Sequence, residues 1–238
     1  MKIPNHLAII PDGNRRWARQ FGLAPWLGHY EGAKTLKRLL YEVVQPFSIK
    51  HFSLWIASFD NLEKRPKEEV DALCDLFEEY FTHMAEHKDV EKFEVGIRAF
   101  GEWASKFPER TVQAIERAQE ATRNYSKYFL NFFMAYDGQR EMVSAVQTIA
   151  NKALKANPHF PVDSDVIQNH LWTADIPPVD LLIRTGVEGD PHLSGGFLMW
   201  QMAYAQLYFS PVHFPAFGPD ELKKAIEDYS SRERRFGA

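Results

Sequence analysis

Short apolar runs alternate with stretches of helical period along this chain, and no other feature limits its fold as much. Residues 6–10, 51–57, 93–100, 128–135 and 179–183 each read as a strand, with a sixth expected over 212–217. Between them, residues 31–44, 67–87, 109–123, 139–156 and 220–232 carry apolar side chains three and four apart. Leu36, Leu39, Leu40 and Val43 make one such face, and Val70, Leu73, Phe77, Phe81 and Met84 another. Strand–helix alternation predicts an α/β fold: a mostly parallel central sheet of about six strands flanked by helices. No internal repeat or low-complexity linker interrupts the pattern, so residues 1–238 are expected to form a single domain.

Composition narrows the class. With 45% hydrophobic and 25% charged residues, the chain can bury a core, and wholesale disorder is excluded. A net charge of −4 argues against a nucleic-acid partner, which selects a basic face. A single cysteine, Cys74, rules out a disulfide framework and a cysteine-rich zinc site. The opening Met1-Lys2-Ile3-Pro4-Asn5-His6 does not read as a signal peptide, and the apolar stretch 197–209 is too short and too interrupted to cross a bilayer. A cytoplasmic enzyme or binding protein is expected.

In parallel α/β sheets, ligands bind beyond the carboxyl ends of the strands. The residues placed there are 12–16, 58–65, 136–140 and 184–194, where arginine recurs with glycine or serine. Asp12-Gly13-Asn14-Arg15-Arg16-Trp17 offers a carboxylate, a turn glycine, an amide and two guanidiniums. Such a group suits an anion, with backbone N–H groups and bidentate arginine gripping phosphate oxygens and the carboxylate holding Mg²⁺. The plainer reading is a turn with solvated arginines. His29 equally suits a buried core histidine, and Asp60 or Asn61 could simply cap a helix.

One rival motif stands apart. His83-Met84-Ala85-Glu86-His87 matches H-x-x-E-H, an inverted zinc-peptidase signature in which both histidines ligate the metal from one helix face. It lacks an evident third ligand, and short histidine patterns arise easily by chance.

Several segments together resemble the cis-prenyltransferases, the undecaprenyl diphosphate synthase family. They are Ile10-Pro11-Asp12-Gly13-Asn14-Arg15-Arg16-Trp17-Ala18, Gly28-His29-Tyr30-Glu31-Gly32, Lys64-Arg65-Pro66-Lys67-Glu68-Glu69, Tyr136-Asp137-Gly138-Gln139-Arg140-Glu141, Asp180-Leu181-Leu182-Ile183-Arg184-Thr185-Gly186 and Arg232-Glu233-Arg234-Arg235-Phe236-Gly237. The resemblance implies a homodimer with a hydrophobic tunnel between sheet and helices. It implies Mg²⁺-assisted condensation of an allylic diphosphate with isopentenyl diphosphate, creating a Z double bond.

Carried over by residue, the resemblance makes Asp12 the metal ligand, while Gly13, Asn14, Arg15 and Arg16 cradle the allylic diphosphate beside Trp17. His29 supports the leaving group. Arg65, Arg184 and Ser194 bind the second diphosphate, with Arg234 reaching a partner subunit's site. Asn61 matches an asparagine assigned to proton removal, in one loop with Ser58, Asp60 and Leu62, and Glu69 a carboxylate that orders that loop.

The chain departs from the family pattern in places. Gln206 stands where a metal-binding glutamate is usual, and an amide oxygen would bring no charge to Mg²⁺. His192 is the nearest counterpart of an arginine, Pro25 replaces a phosphate-binding arginine, and Leu62 a tryptophan. These changes leave an alternative open: irregular, non-head-to-tail coupling of two allylic diphosphates such as dimethylallyl diphosphate. A silent subunit is disfavoured by the intact Asp12–Arg16 segment. Phe77, Tyr80, Phe81, Met84, Phe129, Phe132 and Phe133 are candidates to shorten the tunnel, favouring a short or medium product. A lipid-like product makes peripheral membrane contact an expectation.

Overall fold

The computed structural model describes residues 1–155, 160–189, 191–194 and 196–232. Its strands are β1 (His6–Ile10), β2 (His51–Ser58), β3 (Val95–Phe100), β4 (Tyr128–Tyr136), β5 (Leu181–Arg184) and β6 (Gln206–Phe209). All pair in parallel, in the order β3-β4-β2-β1-β5-β6. The order reverses at β1, which carries Asp12 just beyond its end, so the cleft at the topological switch point opens there.

Side-chain alternation divides the core in two. Along β1, Leu7 and Ile9 enter one apolar cluster, while Ala8 and Ile10 enter another on the opposite face. The larger cluster is covered by α2 (Leu27–Leu39), α4 (Lys67–Glu86), α7 (Glu109–Thr122) and α10 (Pro219–Ser231). Helix α4 is set by its sequence: Pro66 precedes it with φ fixed near the helical value, Glu68 and Glu69 complement its positive end, and Leu73, Phe77 and Phe81 bury one face. The other face of the sheet meets Ile176, Phe197 and Leu198. Helix α8 (Gly138–Lys155) follows β4, and short helices α1 (Asn14–Gln20) and α3 (Phe59–Lys64) begin directly after β1 and β2.

Two expectations are corrected. The sixth strand is Gln206–Phe209, and residues 212–217 hold only a 3-10 turn at Phe214–Ala216. Pro211 and Pro215 lack the N–H groups a ladder needs there. The helix expected over 31–44 starts earlier, at Leu27, and ends in a π-helical turn, Leu40–Val44, that keeps Val43 and Val44 buried.

A cavity of about 220 Å³ lies between the larger face of the sheet and helices α2 and α4. Its lining runs from Asn14 and His29 at the carboxyl end of the sheet to His87, Phe93 and Tyr128 at the other. Along α2 and the turn after it, from His29 to Leu40, eleven residue steps amount to about 16 Å of depth. Phe77, Tyr80, Phe81, Met84 and Phe132 face this space, while Phe129, at its far rim, stacks its ring on His51 on the opposite face of the sheet. Phe133 does not face the cavity: period-two alternation sends it to the opposite face, where it packs on Phe197.

Candidate active site

The site is built on the loops that follow β1, β2 and β5. Gly13 adopts φ 96°, which turns the chain sharply into α1. A Cβ there would also sit 2.6 Å from the His213 ring, so the turn admits no larger residue. Gly186, at φ 66°, likewise lets the backbone after β5 approach Arg16 and the Asp12 carbonyl.

Asp12 stands at the centre of one half. Its Oδ1 accepts the Gly13 N–H at 2.6 Å and lies 3.2 Å from Arg16 Nη2, and its Oδ2 accepts from Arg184 Nη2 at 3.0 Å. Arg184, only 10% exposed in its side chain, also donates to the His192 carbonyl at 2.8 Å and to Ser194 Oγ at 3.0 Å. Arg16 donates to the Gly186 carbonyl at 2.7 Å and lies 3.4 Å from Glu188, which meets His213 at 2.7 Å. The loop carrying Ser194 is anchored from the other side. Gly138 N–H donates to the Gly196 carbonyl at 2.6 Å, and Phe197 stacks on Trp55, ring centroids 5.4 Å apart.

Glu69 centres the other half. With 3% of its side chain exposed, it lies 3.4 Å from Arg15 Nε, 3.4 Å from Arg65 Nε and 3.3 Å from His29 Nε2. Burial alone would raise its pKa, but the His29 hydrogen bond and the guanidiniums of Arg65 and Arg15 outweigh it, so the pKa is lowered. Burial lowers the pKa of His29, with the Arg65 and Arg15 charges adding to that and Glu69 opposing it, so the ring is held neutral near pH 7. Arg65 is lowered by burial too, yet remains a cation at any working pH.

Three guanidinium Nε atoms, those of Arg15, Arg65 and Arg184, are buried without a hydrogen-bond partner among the described residues. Their carboxylate neighbours, where present, are near enough for charge attraction but poorly placed to accept. Buried donors are ordinarily satisfied, so three such groups at the strand ends mark a site shaped for an anion with many oxygens.

The remaining expected residues divide. Asn14 donates to the Pro11 carbonyl at 2.8 Å, and its buried Oδ1 lacks a partner beside the cavity. Trp17 packs on Phe21, ring centroids 4.7 Å apart and tilted by 45°. Ser58, rather than Asp60 or Asn61, caps α3, accepting the Asn61 N–H at 3.1 Å, so its hydroxyl already has structural employment. Asp60 pairs with Lys64 in solvent, and Leu62 packs against the core. Arg234 lies outside the described residues.

Gln206 is a correction. It pairs with Leu181 at the amino end of β5, whereas Phe209 pairs with Arg184 near Asp12. Three residue steps put Gln206 about 10 Å up the strand from that level, so within one chain it does not join Asp12 at a metal. The zinc signature also fails. His87 lies past the end of α4 and caps α5 (Lys88–Lys92), accepting the Asp89 N–H at 3.2 Å. Among the described residues no cluster of three histidine, cysteine or acidic side chains could hold a metal.

Thr185, Glu188 and His213 were not singled out as site residues. Thr185 Oγ1 donates to the Asp12 carbonyl at 2.8 Å, which fixes the turn that presents the Asp12 carboxylate. Its place beside Arg184 was an available signal. His213, isolated between Val212 and Phe214, carried none.

A parallel sheet with a cationic cleft at its switch point and an apolar cavity running away from it suits a ligand with an anionic head and a hydrocarbon tail. The model of the family described as putative undecaprenyl diphosphate synthase matches residues 10–237. A tritrans,polycis-undecaprenyl-diphosphate synthase (geranylgeranyl-diphosphate specific) of Methanocaldococcus jannaschii is 39% identical over 99% of this chain and 83% of its own length. An isoprenyl transferase of Thermus thermophilus is 39% identical over 99% of this chain and 89% of its own. The solved lavandulyl diphosphate synthase from Lavandula x intermedia, in complex with dimethylallyl diphosphate, superposes with TM-score 0.89 at 32% identity, covering 99% of both chains. A probable undecaprenyl diphosphate synthase from Campylobacter jejuni gives 0.78 at 29% identity, covering 100% of both. The chain belongs to the undecaprenyl diphosphate synthase family of prenyltransferases.

Proposed function

We propose that this protein condenses an allylic prenyl diphosphate with isopentenyl diphosphate, releasing diphosphate and adding one five-carbon Z unit per cycle. The observation that carries this reading is the trio of buried, unpartnered guanidinium nitrogens of Arg15, Arg65 and Arg184 beside an apolar cavity. One ligand class satisfies both: an anionic head with many oxygens on a hydrocarbon tail.

The allylic C–O bond breaks with its electron pair leaving on diphosphate, and Asn14, Arg15 and Arg16 meet the charge that develops there. His29, neutral, gives its one N–H to Glu69 and so helps hold that carboxylate beside Arg15 and Arg65. The alkene of isopentenyl diphosphate, its head held by Arg184, Ser194 and Arg65, attacks the allylic carbon, and the C2 proton passes by way of Asn61 to the released diphosphate. The cavity keeps water from the allylic cation. Asp12, with 38% of its side chain exposed, fits Mg²⁺ as one carboxylate that leaves the other positions to phosphate oxygens. When bound, Mg²⁺ would offset negative charge on the departing diphosphate. A homodimer belongs to this reading.

Incubation of the purified protein with Mg²⁺ and dimethylallyl, farnesyl or geranylgeranyl diphosphate, each with and without isopentenyl diphosphate, tests it. Products should form only when isopentenyl diphosphate is present, and their masses should rise in five-carbon steps. Product from an allylic diphosphate alone would instead establish irregular coupling, and no product in any mixture would refute the reading.

A further inference from the structure

The turn between α1 and α2 is the most exposed apolar segment beside the site. Phe21, Leu23, Trp26 and Leu27 lie within seven positions, each between 37% and 63% exposed. Single exposed apolar residues are ordinary, but four large ones on one short turn form a patch. Its own packing gives no reason for this: Phe21 touches Trp17, and the turn is held by backbone bonds such as Leu23 N–H to the Ala18 carbonyl at 2.9 Å.

Charge and position specify what the patch meets. Residues 13–30 contain Arg15, Arg16 and Arg19 and no acidic residue, in a chain whose net charge is −4. Arg15 and Arg16 face the diphosphate cleft, while Arg19 is exposed at the end of α1 with no ion pair among the described residues. The turn joins the two helices whose Asn14 and His29 border the mouth of the apolar cavity. Trp and Phe beside an exposed arginine such as Arg19 are side chains that settle at the headgroup level of an anionic bilayer. No helix among the described residues is long and apolar enough to cross a membrane.

We propose that the 21–27 turn docks the protein on an anionic lipid bilayer, with the cavity mouth beside the headgroups, so that prenyl chains pass between membrane and site without crossing water. The last clause rests on the function proposed above, while docking itself does not.

The test is co-sedimentation with phosphatidylcholine vesicles, with and without phosphatidylglycerol, for the parent protein and a Leu23→Ser/Trp26→Ser variant. Both side chains are partly exposed on the turn, and Trp26 makes no capping hydrogen bond, so the variant should fold. The parent should bind the phosphatidylglycerol vesicles, and added salt should weaken that binding. The variant should bind about tenfold or more weakly. Its thermal midpoint and its turnover of dimethylallyl with isopentenyl diphosphate in solution should match the parent. Absence of vesicle binding by the parent, or equal binding by the variant, would overturn the proposal. So would self-association of the parent that the variant loses while vesicle binding stays absent. Vesicle binding without turnover of dimethylallyl, farnesyl or geranylgeranyl diphosphate in either protein would leave docking standing and refute the function proposed above.

Discussion

Replacing Glu69 with glutamine separates the two jobs this carboxylate does. It is almost fully buried and faces Arg65 and His29, which are also buried, and Arg15, which is not. Removing one partner from a buried ion pair costs about 3–5 kcal/mol, because the remaining charge is left uncompensated. The half-exposed Arg15 adds little to that figure, since solvent screens it. At a urea slope of about 3 kcal/mol/M, the midpoint of unfolding should fall by about 1–1.7 M. Inorganic pyrophosphate should then reverse much of the loss, because it supplies the negative charge Glu69 no longer provides. A ligand at about 100 times its dissociation constant stabilises by about 2.7 kcal/mol. The more cationic variant should bind pyrophosphate more tightly than the parent and gain more from the same concentration. Urea titrations of both proteins with and without pyrophosphate measure all four midpoints. An unchanged midpoint for Glu69→Gln, or a smaller pyrophosphate shift in the variant than in the parent, would refute the role assigned to Glu69.

Other consequences are equally direct. Burial holds His6 and His51 at pKa values of about 4, so their contribution to stability is fully present above the unfolded value near 6.5 and is lost as pH falls from there through 4. For His6 alone this approaches roughly 3 kcal/mol, and a urea midpoint that stays flat from pH 7 to below 4 would contradict it. Asp12→Asn keeps the size of the side chain but removes the charge facing Arg16 and Arg184 and the proposed metal oxygen. Turnover should fall by about a hundredfold or more, and the Mg²⁺ concentration for half-maximal rate should rise. Arg184→Lys replaces a planar fork, shared by Asp12, His192 and Ser194, with a single ammonium. The KM for isopentenyl diphosphate should rise about tenfold in steady-state assays with little change for the allylic substrate. Met84→Ala enlarges the cavity near its far end, and product mass spectra should shift upward by five-carbon units.

Much of the architecture was legible because strand and helix periods differ and each was long enough to read. The five strands over 6–10, 51–57, 93–100, 128–135 and 179–183 fall where expected, with ends shifted by a residue or two. The sixth was misplaced. Gln206-Leu207-Tyr208-Phe209 is short and half-buried at a sheet edge, so its apolar signal is weak. Residues 212–217 are apolar for a different reason: Phe214 and Phe217 fill the core from a turn. The short helices α1 and α3 also escaped notice, since seven and six residues show too little of a 3.6-residue period.

The site follows the same division. Asp12, Arg15, Arg16, Arg65 and Arg184 could be nominated from the chain because arginine after a strand is a chemical statement that does not need coordinates. Glu69 could be named too, but not as the buried anion that two guanidiniums and a neutral histidine share. Nor could the chain show that Gln206 lies up the sheet from Asp12, or that Phe132 faces the cavity while Phe133 turns its back. Those facts depend on which strands become neighbours and in what register. Local sequence encodes period and chemistry, whereas register and burial arise only when segments distant in the chain compete for the same core.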